Sequence, residues 1–342
     1  MNNLTKQIIN DISPIILDIN FDYLRNKSIL ITGAAGLLGT YLLATIKILN
    51  DEKGFNITTY ATTRNSFPAY LKDLVSFHGC HSVVGDITDN TFCSSLPNVD
   101  IVVHAAGYGQ PGKFMEDKIK TLKLNTYSTF NLFDKLNAGG KFLFLSTSEL
   151  YNGLSTPPFK ESQIGTTNTD NPRSCYIEGK RCGEAICIAK RETGIDAKSV
   201  RLSLAYGPGT KPHDQRALNS FIEKALNGKI ALMDQGGAKR TYIYVADAIK
   251  MIWNILLAGK DAIYNIGGDS RTTIREVAEK IGTVLDVPVL FPENSQSLDG
   301  APEDVYLDMK KYVTEFGNVL YVDLDVGLQK TIEWQKELYT NY

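Results

Sequence analysis

Long apolar runs are missing from this chain. Nothing in its 342 residues approaches the roughly 18 consecutive apolar residues of a membrane span. The opening stretch, Met1 to Asn20, carries Asp11, Pro14 and Asp18 where a secretory leader would be apolar. Neither a span nor a leader is expected, no membrane partner follows, and the cytoplasm is the default compartment. An excess of one charge is missing too. Lys and Arg number 36 against 38 Asp and Glu, a formal net charge of -2, which gives no global field for nucleic acid or an anionic membrane. Any anionic ligand has to be held by a few local cations in a pocket. Cysteines are few: Cys80, Cys93, Cys175, Cys182 and Cys187 form no CxxC pair and have no histidine at zinc-like spacing. An odd number without pattern excludes a disulfide framework and suggests no structural metal, so all five read as thiols.

Repeats, low-complexity tracts and Pro/Gly-rich linkers are also absent. What is present is the composition of an ordinary globular protein, 43% hydrophobic and 22% charged. The length exceeds what one core usually fills, so two lobes are expected. The first half alternates regularly. β-rich runs at Ser28 to Thr32, Ile57 to Thr62, His81 to Val84, Asp100 to Ala105, Lys141 to Ser146 and Ala197 to Leu202 are separated by segments long enough for crossover helices. This predicts an α/β fold, a doubly wound parallel sheet of Rossmann type, over residues 1–204 and rejoined at about 240–266. Beyond Gly207-Pro208-Gly209 the pattern loosens, and Thr272 to Leu285 reads as an amphipathic helix, so residues 205–342 are assigned mainly to a smaller substrate lobe. Thr5 to Leu24 is expected to form a helix packed outside the sheet.

Gly33, Gly36 and Gly39 follow the first apolar run and open a helical segment. Glycines so placed permit a tight turn and bring backbone N–H groups close to a pyrophosphate at a helix N-terminus. Asp86, after the third run, is a candidate acceptor for an adenine amino group, with a turn or helix cap as the plain alternative. His104 to Gly107 ends the fourth run, where small residues let the nicotinamide half lie flat; His104 itself reads as a packing residue. The second run ends in Thr62-Thr63-Arg64-Asn65, without the carboxylate that binds the ribose 2′-hydroxyl of NAD and with an arginine able to meet a 2′-phosphate. NAD and NADP both stay open on this ground.

Tyr176 and Lys180 stand one helical turn apart. A phenol ionises near pH 10, and an adjacent ammonium is expected to lower that value and make Tyr176 a usable base. Ser146-Thr147-Ser148-Glu149 puts hydroxyls and a carboxylate at the C-terminal edge of the sheet, where open α/β sheets place active residues.

Taken together, the glycine motif, Asn125, the Ser146 to Glu149 run and the Tyr176/Lys180 pair resemble the extended short-chain dehydrogenase/reductase family over nearly the whole chain. Ile119 to Thr126, Ser146 to Tyr151 and Pro172 to Arg181 are most similar to its UDP-glucuronate decarboxylases, also called UDP-xylose synthases. The resemblance implies NAD held by Gly33, Gly36, Leu37, Leu38, Gly39, Asp86, Ile87, Ala105, Ala106, Gly107, Asn125, Tyr176 and Lys180. Arg64, where an acidic residue would normally stand, departs from the pattern and joins the cofactor candidates on its own chemistry. It also implies a nucleotide-sugar substrate facing Thr147, Ser148 and Glu149, with Arg216 and Arg240 on its diphosphate or carboxylate, and a homodimer built through the Tyr176 helix and apolar positions between Phe114 and Leu136. Related 4,6-dehydratases carry Asp where this chain has Ser148, which favours decarboxylation over dehydration. Gly107 to Lys113 departs from the decarboxylase pattern and reshapes the sugar pocket. Epimerisation at C4, dehydration and NADPH-dependent ketosugar reduction remain alternatives. A non-catalytic dinucleotide sensor is disfavoured because Tyr176 and Lys180 are both present.

Overall fold

The computed structural model describes residues 1–293 and 300–341. The main sheet takes β1 (Ser28–Thr32), β2 (Thr58–Thr63), β3 (Cys80–Val84), β4 (Val99–His104), β5 (Leu136–Thr147) and β6 (Asp196–Leu202). The chain then leaves it through β7 (Leu204–Tyr206), β8 (Ile230–Ala231) and β9 (Lys239–Tyr244), and β10 (Ile263–Ile266) returns to its edge. The order is β10-β6-β5-β4-β1-β2-β3, and every neighbouring pair is parallel. The order reverses between β1 and β4, and ligands of such sheets bind beyond the strand ends at that switch point.

Both faces are covered at the sheet's centre, where β1, β4 and the second half of β5 are largely apolar, whereas β2 is rich in threonine and the edge strand β3 is partly exposed. Side chains alternate across the pleat. Ile29, Ile31, Ile101, Val103, Leu143 and Leu145 join one core with the helices Leu37–Lys53 and Val245–Ala258. Leu30, Val102, Phe142 and Phe144 join another with residues of Lys118–Asn125 and Ser174–Glu192. The N-terminal helix, Asn3–Asp18, buries Leu4, Ile8, Ile12, Ile15 and Ile16 against the first core. It stops short of the expected end at Leu24, where a separate turn of helix, Asp22–Leu24, takes over.

In the second half, β9 lies between β7 and β11 (Ser270–Thr273), and β12 (Val289–Leu290) pairs with β8. The helix expected from Thr272 begins instead at Ile274, because Thr273 caps it: its side chain accepts from Glu276 N–H and the Glu276 carboxylate accepts from Thr273 N–H. Between Phe114 and Leu136, Phe114, Leu124, Leu132 and Phe133 are core, whereas Ile119, Tyr127 and Phe130 are exposed. Among the described residues no helix is long and apolar enough to cross a membrane, and no group of His, Cys, Asp or Glu could hold a metal ion.

Candidate active site

One cavity of about 1280 Å³ runs along the C-terminal ends of the strands. At its dinucleotide end, Gly33 follows β1 with φ +67°, and a Cβ there would stand 2.8 Å from the backbone of Ala105 and Ala106. A Cβ on Gly39 would meet the Gly33 carbonyl at 2.5 Å. Only glycine permits these two approaches. Gly36 caps the helix Leu37–Lys53 without a side-chain hydrogen bond, and Gly36, Leu37, Leu38 and Gly39 all line the cavity. The N–H groups of a first helical turn have no partner inside their own helix, so this end fits a pyrophosphate.

Ala105, Ala106 and Gly107 continue from β4 and line the same wall. Behind them His104 is fully buried, bonded to Thr32 Oγ1 at 2.8 Å and to the Leu124 carbonyl at 3.1 Å. Burial first, and then the Lys180 charge, push its pKa down to about 3. The neutral ring therefore donates from Nε2 to Leu124 and accepts from Thr32, whose oxygen in turn accepts the Ala106 N–H at 3.1 Å. His104 holds the wall in place.

Asp86 and Ile87 line the cavity beyond β3, and Arg64 lines it beyond β2. The Asp86 carboxylate is already engaged: Thr88 donates to Oδ1 through N–H and Oγ1, at 3.0 and 2.7 Å, and Lys120 pairs with Oδ2 at 2.5 Å. Burial raises its pKa, but Lys120 and Thr88 prevail and hold it below the ordinary value. An adenine amino group would use the remaining lone pairs.

At the other end Thr147 closes β5, and the Ser148–Tyr151 turn of helix follows, with the Glu149 N–H donating to Thr147 Oγ1 at 3.2 Å. Tyr176, in the first turn of Ser174–Glu192, is buried, lies stacked on Phe114 at 4.6 Å and shares a hydrogen bond with Thr147. The Lys180 Nζ lies 6.0 Å from the Tyr176 ring centroid and donates to the Leu145 carbonyl at 2.6 Å. The expected lowering of Tyr176 by Lys180 is not what this arrangement produces. Burial pushes Tyr176 up to about 12, and burial pushes Lys180 down to about 7. Burial is the first cause of both shifts; the Thr147 hydrogen bond and the Arg173 and Arg216 charges oppose it at Tyr176, and the Glu184 charge opposes it at Lys180.

The sugar end holds two arginine–carboxylate forks and one unpaired guanidinium. Arg173 donates Nε to Glu149 Oε2 at 2.9 Å and Nη2 to Oε1, with its guanidinium 5.2 Å over Phe114. Arg216, expected to hold substrate, is closed on Asp214, with Nε on Oδ1 at 2.9 Å and Nη2 on Oδ2 at 2.6 Å. Arg240 enters no ion pair among the described residues; its Nη1 donates to the Lys239 carbonyl at 2.8 Å. Burial lowers its pKa, and the charges of Tyr242, Glu149 and Arg173 act on it after that.

Every residue expected in the site lines this cavity except Asn125. Asn125 is fully buried, donates to the Thr121 carbonyl at 2.8 Å and meets Gly179 of the Tyr176 helix, where a Cβ would approach it at 3.3 Å. Its place is between two helices rather than on the cofactor. Lining residues passed over in the sequence include Arg173, Lys120 and Tyr108. Arg173 precedes Tyr176 by three positions, the one local signal available; the partners of Lys120 and Tyr108 are remote in sequence.

Fold and site together define a dinucleotide-binding α/β enzyme with a Tyr/Lys pair. The chain belongs to the NAD dependent epimerase/dehydratase family, whose model matches residues 29–267, and it is an NAD-dependent enzyme of that family. It is 30% identical to "UDP-glucuronic acid decarboxylase 6" of Arabidopsis thaliana over 79% of this chain and 78% of that one. It is 29% identical to "UDP-glucuronic acid decarboxylase 1" of Danio rerio over 90% and 72%. Among solved structures, the fold matches an epimerase of Methanothermobacter thermautotrophicus with a TM-score of 0.81 at 18% identity, covering 95% of this chain and 96% of that one. It also matches a UDP-glucuronic acid 4-epimerase of Bacillus cereus, solved with UDP-glucuronic acid and NAD, with a TM-score of 0.76 at 22% identity, covering 91% and 100%.

Proposed function

We propose that the protein decarboxylates a nucleotide-linked uronic acid, of the UDP-glucuronate type, through transient oxidation at C4. The observation that carries this reading is Arg240, a cation without a carboxylate partner among the described residues, in the cavity that also holds Thr147, Glu149 and Tyr176. A guanidinium fork matches a sugar carboxylate or a diphosphate bidentately. The decarboxylases similar to this chain over most of its length support the same substrate class.

The bound dinucleotide supplies a hydride acceptor and carries a positive charge in its oxidised form. Tyr176 takes the proton of the C4 hydroxyl, and Thr147, bonded to Tyr176, holds the same oxygen. Burial holds the Tyr176 phenol at about 12; the Thr147 hydrogen bond and the Arg173 and Arg216 charges oppose that rise, and an oxidised dinucleotide bound in the cavity would add a further positive charge. Oxidation at C4, with the hydride passing to the bound dinucleotide, makes the substrate a β-keto acid, so its carboxylate leaves as carbon dioxide with the bonding electrons passing toward the new carbonyl. The enolate takes a proton at C5 and the same hydride returns to C4. Glu149, fixed by Arg173, and Ser148 position the ring and its carboxylate. Ser148 cannot act as the acid that elimination of water needs, which separates this site from dehydration. Two copies of the chain pair through the exposed Ile119, Tyr127 and Phe130 surface in this reading.

The test is incubation with UDP-glucuronate and NAD⁺, following the mass of the nucleotide sugar and reduced-nicotinamide absorbance. Loss of carbon dioxide without net cofactor change is expected. An unchanged mass with a new sugar stereochemistry assigns epimerisation instead, and an untouched substrate removes the uronic acid.

A further inference from the structure

The dinucleotide cavity carries cations that enter no ion pair among the described residues. Beyond β2 it is lined by Thr63, Arg64, Asn65 and Ser66, with no carboxylate. In doubly wound folds this is the place of the adenosine ribose: a carboxylate there takes the 2′-hydroxyl, and an arginine takes a 2′-phosphate. Arg64 is exposed, and Nη1 donates to the Tyr108 hydroxyl at 2.8 Å, so its fork is held at the cavity wall from the loop beyond β4.

Two more cations line the same cavity, Lys113 and Lys211. Among the described residues none of the three enters an ion pair. They are nevertheless within electrostatic reach of one another: after partial desolvation, the charges of Lys113 and then Arg64 lower the Lys211 ammonium, and Asp214 opposes them. Asp214 is itself closed on Arg216 and cannot neutralise the group. Lys211 thus feels two like charges in the same cavity, a repulsion that a bound anion relieves, and NADP offers a phosphate at the 2′-position where NAD offers none.

We propose that this site takes the 2′-phosphorylated dinucleotide, NADP, and holds it more tightly than NAD, with Arg64 as the principal ligand of the 2′-phosphate. The inference rests on the dinucleotide-site reading above and concerns its preference alone. NAD enters the same site through the glycine turn and lacks only the phosphate contact.

The experiment is a calorimetric titration of the protein, stripped of bound nucleotide, with NADP⁺, NAD⁺, 2′,5′-ADP and 5′-AMP. Expected is an NADP⁺ dissociation constant at least ~10-fold below that of NAD⁺, with 2′,5′-ADP preferred over 5′-AMP by a similar factor, the range of one charge-assisted contact. Arg64→Ala is expected to weaken NADP⁺ about 10- to 100-fold and NAD⁺ less than about 3-fold, and Arg64→Lys to retain part of the preference. Arg64 is exposed, so a folded variant is expected, and unchanged circular dichroism checks it. Equal or tighter binding of NAD⁺, or loss of both dinucleotides alike in Arg64→Ala, overturns the proposal. Failure of all four nucleotides to bind overturns the dinucleotide site itself, and the proposed function with it.

Discussion

Arg173 and Glu149 form a two-point ion pair across the mouth of the sheet, Nε on Oε2 at 2.9 Å and Nη2 on Oε1, with side-chain exposures of 9% and 20%. The pair ties the turn after β5 to the start of the Tyr176 helix, so the Glu149 carboxylate is aimed by a residue three positions before Tyr176. Such a pair fixes geometry more surely than it adds stability.

Removing one partner leaves the other charge half-buried and alone. Arg173→Ala should destabilise the fold by about 2 kcal/mol, below the cost for a fully buried pair because Glu149 keeps some water. It should also lower kcat more than it raises KM. Urea denaturation together with initial rates checks both effects, and an unchanged kcat would confine the pair to structure.

Tyr176→Phe keeps the ring on Phe114 and removes the phenol that takes the C4 proton in the proposed reaction. Turnover should fall by about 10³-fold or more, while dinucleotide affinity, measured by calorimetry, should stay within about 3-fold. Substantial residual turnover would assign the proton transfer to another group.

Lys180 titrates at about 7 in the folded protein against an ordinary 10.5. Between these values the unfolded chain binds the extra proton and the folded one does not, so stability must rise with pH. Below pH 7 the cost of the buried ammonium is constant. Unfolding free energy measured from pH 7 to 9 should therefore climb, and the slope should flatten in Lys180→Met. An equal slope in both proteins would place the buried charge elsewhere.

Gly39→Ala would put a methyl 2.5 Å from the Gly33 carbonyl and 2.6 Å from Ala34 Cα. Backbone cannot yield as a flexible side chain does, so the glycine turn opens, at about 2 kcal/mol. A lowered Tm and weakened binding of both NAD⁺ and NADP⁺ are expected. Normal affinity would show that the turn adapts.

Strand positions were readable from local pattern because a parallel sheet buried on both faces demands short, continuous apolar runs. The shortfalls lie where local and tertiary terms compete. Thr272 and Thr273 look like the start of the following helix, yet pairing with β9 makes them strand and cap. Asn125 sits in a familiar motif, but the packing of two helices draws it away from the cavity.

The sequence alone determined the doubly wound sheet, the glycine turn, the Tyr176/Lys180 pair and the family, because each follows from spacing along a few tens of residues. Only the tertiary structure decided which charges are free. Arg216 and Arg240 look equivalent in the sequence, but Asp214 closes the first and, among the described residues, no carboxylate closes the second. Arg64, Lys113 and Lys211 are scattered over the chain and gather only when the loops beyond β2, β4 and β7 meet at one cavity. Charge acts through space, and distance in space is what folding supplies.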